Sequence, residues 1–172
     1  MNTKEVIKIL KSSGVGVIPT DTLYGLVGNA FSKEAVKRIY KIKGREKNKK
    51  LIILISSLKD LEKFEIKVNS VQHSVLNKFW PGKVSIILKG KAFRLPNKKS
   101  LIEILKKTGP LVAPSANPSG LQPAMTIKEA KEYFGDNVDF YLAGGKLKSE
   151  PSTLIKINKI GEIEVLRGNI KL

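Results

Sequence analysis

The sequence predicts an α/β to α+β fold built on an open, twisted, mixed β-sheet with flanking helices. Three observations point there. Apolar runs of strand length alternate with segments of helical period through the first half of the chain. Two β-branched runs separated by a short polar turn close the second half as a hairpin. No internal repeat, low-complexity run or composition break marks a linker, so residues 1–172 are expected to form one domain.

The elements follow in order. Thr3 to Lys11 reads as a helix with Val6, Ile7, Ile9 and Leu10 on its buried side and Gly14 soon after its end. Val15 to Ile18 is a buried strand that stops at Pro19 and runs into the polar turn Thr20-Asp21-Thr22. Tyr24 and Gly25 then reopen a buried segment, as where a strand ends in a binding mouth. Ser32 caps a second helix, in which Val36, Ile39, Tyr40 and Lys43 fall at i, i+3, i+4 and i+7. Lys43 therefore occupies an apolar stripe. A cation at a helix C-terminus gains from the dipole and can snorkel; alternatively Lys43, Arg45, Lys47, Lys49 and Lys50 form a cationic rim before the strand Leu51 to Ile55.

Leu58 to Lys63 is a short helix, and Ser70 to Phe79 a second one ending at Trp80-Pro81-Gly82. Val84 to Leu88 pairs with Ala92 to Leu95 across Lys89-Gly90-Lys91. Ser100-Leu101-Ile102-Glu103 reads as a capping box opening a helix to Lys107, stopped by Gly109-Pro110. Leu111 to Ala113 is a short strand entering Pro114-Ser115-Ala116-Asn117-Pro118-Ser119-Gly120, a second polar cluster at a strand end. Thr126 to Glu129 reads as another capping box, with its helix closing near Gly135. Phe140 to Ala143 leads to Gly144-Gly145, and Ser152 to Ile157 pairs with Glu162 to Leu166 across Asn158 to Gly161.

Composition narrows the chemistry. With no cysteine, disulfides, thiolate nucleophiles and Cys-based zinc sites are excluded. A single histidine, His73, argues against His-clustered metals and a Ser/His triad, and its polar neighbours mark it as a surface residue. No apolar stretch has the length of a membrane span, charges recur along the N-terminus, and a cytoplasmic protein is expected. The net charge of +17 invites RNA, yet it comes from 28 Lys and 4 Arg spread along the chain, which equally suits solvated helix faces. The arginines tell more, because a planar donor fork suits carboxylate or phosphate: they are Arg38, Arg45, Arg94 and Arg167.

Five segments together resemble one family. They are Pro19 to Leu26, Lys43-Gly44-Arg45, Phe79-Trp80-Pro81-Gly82, Ala113 to Gly120, and Pro151-Ser152-Thr153 with Arg167-Gly168. In this order they resemble the Sua5/YciO/YrdC group, whose characterised members are threonylcarbamoyl-AMP synthases. The resemblance implies a mixed sheet curved around a basic concave cavity. It implies a nucleotidyltransferase that forms threonylcarbamoyl-adenylate and pyrophosphate from L-threonine, bicarbonate or CO2, and ATP, for the tRNA modification threonylcarbamoyladenosine. Mg2+ would come with the ATP phosphates, no protein-held metal is expected, and a separate threonylcarbamoyl transferase would use the product.

Carried over residue by residue, the resemblance puts Thr22, Arg94 and Ser152 on threonine. Lys43, Arg45, Lys49, Ser115, Asn117 and Arg167 fall on ATP, with Lys43 and Arg45 acting catalytically on the triphosphate. Arg38 matches no ligand position and reads as a solvated helix residue. Read alone, Thr22 caps a turn, Ser115 and Asn117 make an Asx-type turn before Pro118, and Arg167 pairs with a surface acid. Asp21 either orients its loop or helps hold Mg2+. The chain departs from the family at Lys50 for Pro, Leu54 for a frequent His, and Lys83-Val84-Ser85 for Pro-Leu-Thr. It also has a shorter connection from Leu88 to Arg94, and its end soon after Arg167 implies the single-domain type. Two other readings remain: a module binding double-stranded RNA in ribosome maturation, and a YciO-type paralogue with another acceptor.

Overall fold

The computed structural model describes residues 1–170. Its elements in chain order are α1 (Thr3–Lys11), β1 (Gly16–Pro19), β2 (Tyr24–Asn29), α2 (Lys33–Lys43) and β3 (Ile52–Leu54). A 3-10 segment (Leu58–Phe64), α3 (Ser70–Phe79), β4 (Val84–Leu88), β5 (Lys91–Arg94), α4 (Lys99–Thr108) and β6 (Leu111–Val112) follow. The chain continues with α5 (Ile127–Phe134), a 3-10 turn (Gly135–Asn137), β7 (Phe140–Tyr141), β8 (Thr153–Ile157) and β9 (Ile163–Arg167). All the strands form one mixed sheet in the order β7-β1-β2-β6-β3-β5-β4-β8-β9. The pairs β1–β7, β3–β5 and β4–β8 are parallel and the others antiparallel.

Strand alternation sends neighbouring residues to opposite faces, and two apolar clusters result. Val17, Leu26, Ile53, Ile86, Phe93 and Ile155 join Ile39 of α2, Leu76 of α3 and Phe134 of α5. Ile18, Val27, Leu54 and Leu111 join Val6 and Leu10 of α1 and Leu101 and Leu105 of α4. The second cluster draws no residue from β4, β5 or β8. That strip of the sheet is left uncovered, and there a cavity opens.

Helix boundaries follow local chemistry, not always where expected. Ser32 Oγ accepts from Ala35 N at 3.1 Å, as its spacing predicts. The expected box at Ser100 is absent: α4 starts two residues earlier behind Lys98, with no side-chain cap. At α5 Thr126 caps Glu129 N at 3.2 Å, but the Glu129 carboxylate accepts from Met125 N at 2.8 Å instead of closing the box. The complete boxes are Asn2 with Glu5 and Asn69 with Gln72, where an amide replaces the hydroxyl. Arg38 is not merely solvated. It forks onto both oxygens of Asp139, at 2.6 and 2.9 Å, and onto Asn137 O, tying α2 to the entry of β7.

The connection from β7 to β8 starts at one edge strand of the sheet and ends beside the other. Tyr24 pins it: its phenol accepts from Gly144 N at 2.9 Å and donates to Gly145 O at 2.7 Å. A Cβ at position 144 would overlap the ring of Pro19, so only glycine passes there.

Candidate functional site

Four segments distant in sequence border one cavity of ≈ 320 Å³, a size within the range of small-molecule sites. The first is the β1–β2 turn. Thr20 Oγ1 donates to Leu23 O at 2.7 Å and Thr22 N donates to Thr20 Oγ1 at 3.1 Å, so three short polar residues fold onto themselves. The turn is braced from the strand opposite. Arg94 donates through Nη1 to Thr22 Oγ1 (3.0 Å) and through Nη2 to Asp21 Oδ1 (2.5 Å) and Thr20 Oγ1 (3.3 Å). The other Asp21 oxygen accepts from Asn97 N at 3.0 Å. Both carboxylate oxygens are thus engaged, and Asp21 orients its loop.

Arg94 is 4% exposed, and its Nε–H has no partner among the described residues. Burial lowers its pKa from the ordinary value, Asp21 opposes that shift, and Arg167 adds to it. An unpaired buried donor costs about 1–3 kcal/mol, which an incoming acceptor would recover. Register explains its position: Leu54 pairs with Arg94, Ile52 and Ile87 each pair with Ala92, and all five line the cavity floor.

The second segment follows α2. Gly44 ends that helix in the left-handed region (φ 58°), which turns Lys43 and Arg45 in different directions. Arg45 goes to the cavity wall, donating to Lys49 O (3.0 Å) and Lys50 O (3.1 Å), so it shapes the loop that brings Lys49 and Lys50 to the same wall. Lys43 goes under the neighbouring loop. It is 2% exposed and its ammonium donates to Ser115 O and Asn117 O, both at 2.5 Å, and to Asn117 Oδ1 at 3.4 Å. An ammonium has three protons, and all three are engaged. The expected cationic rim therefore lacks Lys43, which does not line the cavity. Burial, and secondarily Arg45, lowers its pKa to about 8.

The third segment is the loop after β6. Leu26 N donates to Pro114 O and Ala116 N to Tyr24 O, so the second polar cluster is zipped alongside β2. Asn117 lies behind Ser115 and not on the cavity wall. Its Nδ2 donates to Pro118 O and Leu121 O, and its Oδ1 accepts from Ser115 Oγ at 2.6 Å. Ser115, with its proton committed, presents lone pairs to the cavity.

The fourth segment is Ser152 with the β8–β9 hairpin. Arg167 donates to Ser152 O through Nε (3.2 Å) and Nη2 (2.9 Å). Burial, then Arg45, lowers its pKa. A bulge positions it: Ile155 pairs with Val165 while Leu154 pairs with Arg167, so Val165 and Arg167 face opposite sides although two residues apart. Thr22, Arg45, Lys49, Arg94, Ser115, Ser152 and Arg167 thus come together on one cavity, and Lys43 and Asn117 form its backing. Sequence reasoning gave no site role to Tyr24, which lines the cavity, or to Ser85, which is buried and hydrogen-bonded to Ser152. The Ser85 signal was its place in the unusual Lys83-Val84-Ser85 stretch.

A family model for Sua5, YciO and YrdC proteins, described as telomere recombination, matches residues 8–168. The chain belongs to this family. A Methanocaldococcus jannaschii member, provisionally named a threonylcarbamoyl-AMP synthase, is 34% identical over 186 residues, covering 98% of this chain and 88% of that protein. The Bacillus subtilis threonylcarbamoyl-AMP synthase is 32% identical over 152 residues, 79% of this chain and 43% of that one. Among solved family members, P. abyssi Sua5 complexed with L-threonine superposes with a TM-score of 0.88 at 26% identity, over 96% of this chain. This chain spans about half of that protein, 53%. E. coli YciO, at 23% identity, shares the fold with a TM-score of 0.85 over 96% of this chain and 87% of its own.

Proposed function

We propose that the chain is a threonylcarbamoyl-AMP synthase serving the tRNA threonylcarbamoyladenosine modification. The observation that carries this reading is the convergence of Arg45, Arg94 and Arg167, from three distant elements, on one cavity, where among the described residues only Arg94 of the three has an acid partner, Asp21. Like charges gather at such a cost only where an anion will lie among them. Family membership supplies the reaction. The amino nitrogen of threonine attacks CO2, forming a C–N bond and losing a proton to give the carbamate. A carbamate oxygen then attacks the α-phosphorus of ATP, the bridge to the β-phosphate breaks, and pyrophosphate leaves with the bonding electrons.

Little proton transfer is needed, so catalysis is positioning and charge stabilisation. Arg45, Lys49 and Arg167 take the phosphates. Arg94 takes the threonine carboxylate through its guanidinium, Thr22 and Ser152 complete the amino-acid subsite, and Ser115 accepts from a nucleotide hydroxyl or amine. Lys43 and Asn117 hold the Ser115 loop. Among the described residues no group of three or more acidic, His or Cys side chains converges, and Asp21 has both oxygens engaged. Mg2+ is assigned in this reading to the ATP phosphates, entering as MgATP. A separate transferase must then move the threonylcarbamoyl group to tRNA.

The test is pyrophosphate release from L-threonine, bicarbonate and MgATP. Release is expected to require all three, and Arg94→Ala to raise the threonine KM at least about tenfold with a smaller effect on that of ATP. Release that does not depend on threonine overturns the reading, and a panel of other amino acids and amines then identifies a different acceptor.

A further inference from the structure

Ser85 lies in β4, is fully buried, and its hydroxyl has one partner among the described residues: Ser152 Oγ, at 2.8 Å. Either oxygen of the pair could donate, but the two directions are not equivalent. If Ser152 donates, the Ser85 proton is stranded in the interior with no acceptor. If Ser85 donates, no proton is stranded in the interior. Ser152 Oγ then accepts from Ser85 and, more weakly, from Arg167 Nη2 at 3.4 Å, and its own proton is left for the cavity that Ser152 lines.

We propose that Ser85 is a positioning residue that fixes the Ser152 hydroxyl as a donor toward a carboxylate oxygen of the amino-acid substrate. This rests on the synthase reading given above. Ser85 and Arg94 each adjoin the Ile86–Phe93 pair on neighbouring strands, so the directed hydroxyl and the Arg94 guanidinium belong to the same end of the cavity. Ser115 has the opposite polarity, because its proton goes to Asn117 Oδ1. A carboxylate is thus favoured at the Ser152 end and a hydrogen-bond donor at the Ser115 end, which sets the direction in which an amino acid and a nucleotide lie in one cavity.

The experiment is a double-mutant cycle on threonine-dependent pyrophosphate release. Ser85→Ala is expected to raise the threonine KM about tenfold with the ATP KM unchanged, as for loss of one directed hydrogen bond to a charged group. Ser85→Thr, which keeps the hydroxyl, stays within about twofold of the parent, and Ser85→Ala adds nothing once Ser152→Ala is present. A threonine KM unaltered by Ser85→Ala overturns the proposal, as does an equal rise in both KM values or a full additional effect on the Ser152→Ala background. Should Ser85→Ala fail to fold by circular dichroism, Ser85→Cys replaces it: a thiol of similar size donates poorly, so the same KM rise is expected and an unchanged KM is overturning. If the parent protein releases no pyrophosphate with threonine, the synthase reading falls and takes this inference with it. An active parent with an insensitive Ser85→Ala overturns this inference alone.

Discussion

Lys43 illustrates how a motif residue can brace a cavity without lining it. Its ammonium is saturated by Ser115 O, Asn117 O and Asn117 Oδ1. Lys43→Met would leave Asn117 O without a donor among the described residues and would leave Ser115 O and Asn117 Oδ1 with only Asn117 N and Ser115 Oγ. A loss of about 2 kcal/mol in urea unfolding is expected, together with a fall in kcat/KM of about tenfold or more as Ser115 shifts. The pH dependence has a definite sign. The folded-state pKa of about 8 lies below the unfolded value of 10.5, so between these pH values the unfolded chain binds more protons. Stability of the parent relative to Lys43→Met therefore rises from about pH 8 toward about pH 10.5, and a flat difference between the two urea curves would refute the burial argument. At this scale the sequence was readable where a residue type stood out, as a lysine on an apolar stripe or a rare arginine did. It was silent on direction. Nothing in Lys43-Gly44-Arg45 says which cation turns inward, because that is decided by the carbonyls of residues 115 and 117, more than seventy positions away.

Elements were legible when their period was long and their punctuation strong. The β8–β9 hairpin and α2 appear as expected, and β2 does not, because Tyr24–Asn29 carries two glycines and buries nearly every side chain, leaving no alternation to read. The bulge that aims Arg167 has no sequence mark either. The joint between α2 and β7 offers a test of what an ion pair contributes. Arg38 and Asp139 are each more than a third exposed, so Arg38→Ala is expected to cost under about 1 kcal/mol despite the two short bonds. Asp139→Ala should cost about 1–2 kcal/mol more, because Asp139 Oδ2 also accepts from the fully buried Val15 N at 2.7 Å. Equal losses in paired urea titrations would mean that the Val15 contact contributes nothing.

At the scale of the molecule, two apolar clusters share β1, β2, β3 and β6, alternating residue by residue across one sheet. Unfolding is therefore expected to be a single cooperative event. Trp80, the sole tryptophan, is 6% exposed and donates to Val84 O at 2.7 Å, so its fluorescence reports on β4. Its urea midpoint should coincide with that of far-UV circular dichroism, and separate midpoints would divide the chain into independent units. The charge of +17 makes a further prediction. Any direct RNA binding should weaken steeply as salt rises and survive Ser115→Ala, whereas a salt-independent affinity would place the contact elsewhere than on the lysine-rich surface. Among the described residues no helix is long and apolar enough to cross a membrane.

The sheet order also governs when the protein becomes competent during its synthesis. Thr22 and Arg94 emerge early, but Ser152 and Arg167 reach the cavity only when β8 docks in parallel against β4 and β9 folds back on it. A ribosome-bound nascent chain thus carries most of the cavity's lining residues in an unfinished hollow. Completion of the cavity must await emergence of the β8–β9 hairpin from the exit tunnel, and a chain stalled before it would lack the wall that carries Ser152 and Arg167.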